Sequence, residues 1–257
     1  VEHTDFLAIL LDALRKRGMR YTDAAMVQNF AFEVPALLGP NPATDLVDIR
    51  LQDADVVLVR DDVVWHSPNA ANYSDNPTIY VGGQPLEITR GFASAVIEVK
   101  GKAYRIVSTH LTPKEEGEAE QLLQADELIA LLDGAIEPVF VMGDLNTAPG
   151  NTWTDSYGKF TAAGYTDLWS LGAPGDPGPT CCQDSDLLNT ASILDRRFDL
   201  VFYLDPAPLD GIGLADGVLA ERLGATPSEK TVSNLWPSDH AGVSVIARPI
   251  PGLGNQR

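Results

Sequence analysis

The chain has 257 residues, of which 44% are hydrophobic and 21% are charged. Such a chain is long enough to bury a sizeable core, and none of its apolar runs approaches the ~18 residues that a membrane-spanning helix needs. Asp and Glu number 36 against 18 Lys and Arg, which gives a net charge of -18. So acidic a surface repels polyanions, and we therefore expect no tight binding of duplex nucleic acid.

The first third of the chain predicts a helix, a strand and a long surface excursion. Thr4 can cap a helix over 4–17, because leucines recur at helical spacing and Gly18 lies where such a helix ends. The apolar run 55–60 predicts a strand. Residues 61–90 are rich in Asp, Asn, Pro and Gly, which is typical of an irregular surface segment.

The rest of the chain alternates strands with helices. The predicted elements are a hairpin of strands over 95–99 and 104–109, a helix over 118–132, and strands over 138–142, 198–203 and 241–247. Residues 171–192 form another irregular stretch. Strands that come in pairs, with helices between some of them, predict one α/β (α+β) domain with largely antiparallel sheets.

Polar side chains suited to catalysis stand at the ends of these apolar runs. They comprise carboxylates, imidazoles and one amide: Glu2, His110, Asp144, Asn146, Asp199, Asp239 and His240. Because the ends of adjacent strands meet at the edge of a sheet, we expect these side chains to converge on one pocket. Asp199 carries the strongest individual signal, since an acid within an apolar strand needs a partner or a metal.

These residue types suit the hydrolysis of a phosphoester. Carboxylate and amide oxygens favour Mg²⁺, which stabilises charge on phosphoryl oxygens while a positioned base activates water. Asp199 and His240 fit a dyad in which the acid fixes the tautomer of the imidazole and stabilises its protonated form.

Five short motifs resemble those of the endonuclease/exonuclease/phosphatase (DNase I-like) superfamily, and they occur in the family's order. They are Val1-Glu2, Ser108-Thr109-His110-Leu111, Gly143-Asp144-Leu145-Asn146, Arg197-Phe198-Asp199-Leu200-Val201 and Ser238-Asp239-His240. The resemblance runs from Glu2 to Val243. It implies a four-layer α/β/β/α sandwich of two packed, mostly antiparallel sheets, with the site at one edge.

The resemblance also implies a metal site and an incomplete sheet. Glu2, with help from Asp239, would hold the catalytic ion, which is Mg²⁺ with Mn²⁺ or Ca²⁺ as alternatives. The family's first strand and helix have no counterpart in the sequence, so we interpret residues 1–257 as a single domain that lacks them. Losing a central strand would leave open sheet edges, and we expect a separate N-terminal segment to complete the sheet.

The remaining motif residues take catalytic roles by the same resemblance. Asp144 and Asn146 would position the attacking water and the phosphate. His240, oriented by Asp199, would be the general base or the stabiliser of the transition state. His110 would contact the phosphate or assist the leaving oxygen.

A loop and a nearby aromatic residue add two open questions. Two adjacent cysteines, Cys181 and Cys182, rule out a disulfide scaffold and a cysteine-built zinc site. They are either two small loop residues or a vicinal disulfide that stiffens a loop near the substrate. Asn189 follows in the same loop and is a candidate substrate contact. Trp236 either lines the pocket or packs in the core.

The leading hypothesis is a divalent-metal-dependent phosphodiesterase or phosphomonoesterase. Because the chain is so acidic, a small phosphoester or a lipid headgroup is a better substrate than a polyanion. A metal-dependent nuclease acting on DNA or RNA is the alternative, and a non-catalytic binding module on the same fold is the second. The excess of acid and the adjacent cysteines favour a secreted or periplasmic protein.

Overall fold

The structure is a computed structural model that describes residues 4–206 and 217–247. The helices are α1 (Phe6–Lys16), α2 (Pro42–Asp45), α3 (Lys114–Leu132), α4 (Ser156–Ala162) and α5 (Leu168–Gly172). The strands are β1 (Tyr21–Leu37), β2 (Leu46–Arg60), β3 (Val64–Asn72), β4 (Thr78–Val81), β5 (Gln84–Glu87), β6 (Gly91–Val99), β7 (Lys102–Thr109), β8 (Val139–Asp144), β9 (Thr166–Asp167), β10 (Asp199–Leu204), β11 (Val218–Leu223) and β12 (Gly242–Ala247).

The central sheet has the strand order β3-β6-β7-β8-β10-β9. Its neighbours are antiparallel except β7 and β8, which pair in parallel across the α3 crossover. The C-terminal ends of β7 and β8 therefore lie at the same edge as the N-terminal end of β10, where Asp199 pairs in register with Asp144. This edge carries the candidate site.

The two faces of the central sheet are covered differently. Helices α3 and α4 pack on one face, where Leu128, Val141, Phe160 and Phe202 belong to one buried cluster. The opposite face is covered by two separate antiparallel pairs, β1–β2 and β11–β12. The result is a mixed α/β fold of packed sheets, as the sequence predicts.

The main predicted strands and helices are confirmed, including the helix over 4–17 and the strand over 55–60, whereas β1 and the first part of β2 were not predicted. The hairpin β6–β7 turns at Lys100 and Gly101, and helix α1 is capped by Asp5 rather than by Thr4. The interpretation of 61–90 as irregular was wrong, because β3, β4 and β5 lie there. Strand β3 contains one Pro, two Asn and two Ala, all residues of low β propensity, and it forms through its pairing with β6.

Within the described residues, no helix is both long enough and apolar enough to cross a membrane.

Candidate active site

Gly143 allows the two central strands to come close enough to build the site. Its φ of +143° is rarely adopted by other residues, and a Cβ at this position would collide with the carbonyl oxygen of Thr109. The close approach puts His110 beside Asp144, with 3.4 Å between His110 Nε2 and Asp144 Oδ2. The backbone N–H of Leu111 donates to the carbonyl of Asp144, which ties the two strand ends together.

Asp199 and His240, which are paired in the sequence-based prediction, are hydrogen-bonded to each other. His240 Nδ1 lies 2.8 Å from Asp199 Oδ2, and Asp199 is the first residue of β10. Burial alone would lower the pKa of His240. The hydrogen bond to Asp199 and the negative charges of Asp199, Asp144 and Asp239 outweigh burial and raise that pKa to about 9. His240 is therefore an imidazolium at neutral pH, with its Nδ1–H donated to Asp199.

His110 has the opposite electrostatic environment. Arg90 Nη1 donates to His110 Nδ1 across 3.1 Å. Because a guanidinium can only donate, Nδ1 is the acceptor and the proton of the neutral ring is on Nε2. Nε2 lies 3.4 Å from Asp144 Oδ2 and 3.1 Å from the amide nitrogen of Asn146. Burial and the charge of Arg90 lower the pKa of His110 to about 4. His110 is thus a neutral imidazole held in a single tautomer.

Asp144 lies between the two histidines. Its Oδ2 is 3.9 Å from His240 Nδ1 as well as 3.4 Å from His110 Nε2. Burial and the charge of Asp199 raise the pKa of Asp144 to about 6, against the opposing charge of His240. This carboxylate can accept a proton near neutral pH.

Asn146 is held rigidly beside Asp144 and His110. Its φ of +47° is a left-handed conformation that Asn tolerates, and its backbone N–H donates to Asp144 Oδ1 across 2.9 Å. Its side-chain amide donates to the carbonyl of Leu111, and its own carbonyl accepts from the buried Gln121 of α3. Helix α3 therefore anchors the turn that presents Asn146.

The structure thus gathers five of the predicted residues into one cluster, which we call the histidine–carboxylate cluster. Its members are His110, Asp144, Asn146, Asp199 and His240. Asp239 is exposed beside it, and its charge acts on His240. Glu2 lies outside the described residues.

The two candidate substrate contacts, Trp236 and Asn189, are both engaged in hydrogen bonds within the protein. Trp236 is 1% exposed, and its indole N–H donates to the carbonyl of Asn189. The Asn189 amide donates to Gln183 Oε1 and to the carbonyl of Ala191. These contacts stabilise the loop, and a role for either residue in binding substrate stays a prediction.

A buried polar network behind His110 was not predicted. Asn29 donates to both Asp53 and Asp55, and Arg90 pairs with Asp53. Burial and the charge of Asp53 raise the pKa of Asp55 to about 6, although the Asn29 hydrogen bond opposes this. Arg90 is nearly fully buried. One sign of this network is visible in the sequence, which is the position of the charged Arg90 directly before the apolar strand β6.

The chemistry of the cluster fits a hard divalent cation. Its carboxylate and amide oxygens are the ligands that Mg²⁺ prefers. The negative charges of Asp199, Asp144 and Asp239 all act on His240 and raise its pKa, so negative charge is concentrated at this edge. A cation bound there would relieve that excess of negative charge.

A layered α/β structure with such a cluster at one sheet edge is a hydrolase fold. The chain belongs to the Endonuclease/Exonuclease/phosphatase family, whose model matches residues 26–240. No curated protein matches the chain in sequence.

Solved structures of the same fold cover nearly all of the chain at low sequence identity. A family protein from Leptotrichia buccalis C-1013-b is 16% identical with a TM-score of 0.55, over 96% of this chain and 80% of its own. Truncated Caenorhabditis elegans TDP2 is 16% identical with a TM-score of 0.54, over 95% of this chain and 80% of its own. D. rerio TDP2 complexed with single strand DNA product is 15% identical with a TM-score of 0.53, over 91% of this chain and 80% of its own. These likenesses show the fold.

Proposed function

We propose that the chain is a divalent-metal-dependent hydrolase of phosphoester bonds, acting as a phosphodiesterase or phosphomonoesterase. The observation that carries this proposal is the 2.8 Å contact of His240 with Asp199, next to Asp144 and His110. Neither a structural core nor a protein-binding surface needs two carboxylates and two imidazoles packed at one sheet edge.

His240 acts as a charged donor in this proposal. Because its pKa is about 9, the imidazolium form prevails at neutral pH and can donate Nε2–H to a phosphoryl or leaving oxygen. Asp199 fixes the ring through Nδ1 and stabilises its positive charge. Of the two roles that the resemblance implies for His240, the charge distribution favours stabilisation of the transition state.

Asp144 is then the group that accepts a proton from the attacking water. Its pKa of about 6 lies near the working pH, which is the condition for an effective general base. His110 stays neutral and offers its Nε2–H as a hydrogen bond. Asn146 supplies an amide on a rigid turn, with its backbone N–H fixed to Asp144.

Glu2, with help from Asp239, would hold the divalent ion, as the resemblance implies. When bound, such an ion stabilises negative charge on the phosphoryl oxygens.

The substrate that best fits the charge of the chain is a small phosphoester or a lipid headgroup. A net charge of -18 opposes the approach of a long polyanion. A nuclease activity is the second candidate, because a TDP2 of the same fold is solved with a single-stranded DNA product.

Hydrolysis of bis-p-nitrophenyl phosphate, p-nitrophenyl phosphate and a single-stranded oligonucleotide tests the proposal. We expect turnover with Mg²⁺ or Mn²⁺ that EDTA abolishes. His240→Ala should lower kcat by about 10²- to 10⁴-fold, because the charged donor is lost.

His66→Ala is the matched control, since His66 lies exposed on β3 and donates or accepts only with Ser67 and Glu98. Its activity should equal that of the wild type. Turnover that survives EDTA, or equal rates for His240→Ala and His66→Ala, would contradict the proposal.

A further inference from the structure

The adjacent cysteines lie against the catalytic face of His240. The structure joins Cys181 and Cys182 in a disulfide within the loop between α5 and β10. Cys182 Sγ is 3.7 Å from His240 Nε2, the ring nitrogen that Asp199 leaves free. Cys181 is 2% exposed, whereas Cys182 is exposed to solvent. The mechanism proposed above uses neither sulfur.

The backbone holds this loop to the elements of the site. The N–H groups of Thr180 and Cys181 both donate to the carbonyl of Arg196, three residues before β10 begins at Asp199. On the other side, the N–H of Ala241 donates to the carbonyl of Thr180, next to His240. These hydrogen bonds do not involve the sulfurs, so they persist when the disulfide is opened.

We infer that, once the disulfide is reduced, Cys181, Cys182 and His240 form a binding site for a soft divalent cation such as Zn²⁺. One ligand atom of each residue lies within 4.8 Å of the other two. In a tetrahedral zinc site with Zn–S near 2.3 Å and Zn–N near 2.0–2.1 Å, sulfur and nitrogen lie about 3.6 Å apart. The 3.7 Å between Cys182 and His240 already matches that edge.

Two further features favour zinc at this position. Asp199 bonds the other ring nitrogen of His240, which is the arrangement that orients zinc-ligating histidines in proteins. Thiolates select zinc, whereas the neighbouring oxygens select Mg²⁺, so the two ions would occupy different parts of one edge. The cysteine count of the sequence argued against a cysteine-built zinc site; the fold adds an imidazole from 58 residues away in the chain.

The chemistry of opening the site is a thiol–disulfide exchange. A dithiol reductant attacks the exposed Cys182 sulfur, the Cys181–Cys182 bond breaks, and the reductant becomes a cyclic disulfide. Two electrons and two protons pass to the cysteines. Zinc then binds two thiolates and neutral His240, and the displaced protons go to solvent.

The consequence for activity rests on the proposed function. Zinc would occupy His240 Nε2, the atom that donates to the substrate, so the reduced, zinc-loaded protein would be inactive. A low-molecular-weight disulfide would reverse the step by thiol–disulfide exchange: the Cys181–Cys182 bond re-forms and the added disulfide is reduced to two thiols. Loss of the two thiolate ligands would release zinc and restore the rate. The site would therefore couple phosphoester hydrolysis to the thiol redox state.

Cobalt spectroscopy tests the zinc site without any assay of activity. The protein is reduced with dithiothreitol, freed of reductant without oxygen, and titrated with Co²⁺. We expect two titratable thiols per chain and, with a single equivalent of Co²⁺, the thiolate-to-cobalt charge-transfer absorption and visible bands of a tetrahedral site. Zn²⁺ should bleach both.

Three comparisons decide the outcome. The oxidised protein and the iodoacetamide-treated reduced protein should show no charge-transfer band. His240→Gln should weaken Zn²⁺ binding by about 10-fold or more, because it removes one of the three protein ligands. Absence of the band in the reduced wild type, failure of dithiothreitol to release thiols, or an identical zinc affinity in His240→Gln would overturn the inference.

Activity is then a separate readout. In the reduced wild type, Zn²⁺ should inhibit bis-p-nitrophenyl phosphate hydrolysis, and a Cys181→Ser/Cys182→Ser variant should lose that inhibition relative to its own zinc-free rate. If the cobalt site forms and the protein hydrolyses no phosphoester, the zinc site stands and the proposed function fails. If zinc inhibits this double variant equally, the regulatory role of the cysteines is refuted.

Discussion

The two histidines of the histidine–carboxylate cluster carry different charges at neutral pH although both contact Asp144. His240 faces three carboxylates and has a pKa of about 9, whereas burial and the adjacent Arg90 lower the pKa of His110 to about 4. Environments that separate two pKa values in this way divide proton transfer and charge stabilisation between residues. At this scale the chemistry depends on neighbours as much as on the imidazoles themselves.

Asp199→Asn isolates the largest favourable contribution to the charge of His240. The amide keeps the size of the side chain but removes its charge, so the pKa of His240 should fall from about 9 to between about 6 and 8. NMR titration of the histidine ring protons in EDTA measures this directly, with His240→Gln to assign the resonance. Asp239→Asn, which removes a more distant charge, should cause a smaller fall. An equal fall in the two variants would show that Asp199 has no special part.

Sequence motifs located the cluster but not its supporting residues. His110 and Asp144 were found because they follow apolar runs at the ends of strands, and Asp199 because it is an acid within an apolar run. Arg90 and Asn29 were not predicted, since their partners are distant in the chain. Arg90 contacts His110, and Asn29 donates to Asp55. Long-range hydrogen bonds between side chains leave no periodic pattern in a sequence.

At the scale of elements, the Arg197-Phe198-Asp199 motif combines a residue of the proposed active site with a structural one. Arg197 donates to both oxygens of Asp167, at 3.0 and 2.6 Å, and both side chains are almost fully buried. Asp167 also caps α5 by accepting from the N–H of Trp169. The pair therefore fastens α5 and β9 to the start of β10, which carries Asp199.

Arg197→Met should destabilise the protein strongly, because it leaves the buried charge of Asp167 without its partner. We expect the free energy of unfolding to fall by about 3–5 kcal/mol in urea denaturation. Arg60→Met is the matched control, since Arg60 pairs with Asp62 on the surface, and its cost should stay below about 1 kcal/mol. If Arg197→Met cost no more than Arg60→Met, Asp167 would not depend on Arg197.

Elements with a strong apolar pattern were predictable, and those that depend on tertiary pairing were not. Strands β7, β8 and β10 each contain an apolar run with buried residues, so local sequence identifies them. Strand β1 extends over 17 residues through Glu33 and Pro35, and its pairing with β2 rather than its composition keeps it extended. The paired strands β1–β2 cover the central sheet only through their inner halves, where Val27, Val57 and Val59 are buried.

At the scale of the whole molecule, acidic residues outnumber basic ones two to one. Several of the basic side chains are also paired with carboxylates. Arg15 and Lys16 both pair with Asp12, so the basic end of α1 is partly neutralised. Arg105 pairs with Glu137, and Lys159 with Asp126. Long-range electrostatics therefore oppose a polyanionic substrate even though we propose that the cluster itself contacts phosphate.

This opposition predicts an unusual salt dependence. Raising NaCl from about 20 mM to about 200 mM shortens the Debye length from about 20 Å to about 7 Å and screens repulsion between the protein and a distant anion. At constant free Mg²⁺, kcat/KM for a single-stranded oligonucleotide should therefore rise, whereas kcat/KM for bis-p-nitrophenyl phosphate, which carries one charge, should change little. Proteins that bind nucleic acid through Lys and Arg show the reverse, because salt weakens their phosphate contacts. A fall in kcat/KM for the oligonucleotide over this range would mean that a local cationic surface, rather than the net charge of -18, governs the approach of substrate.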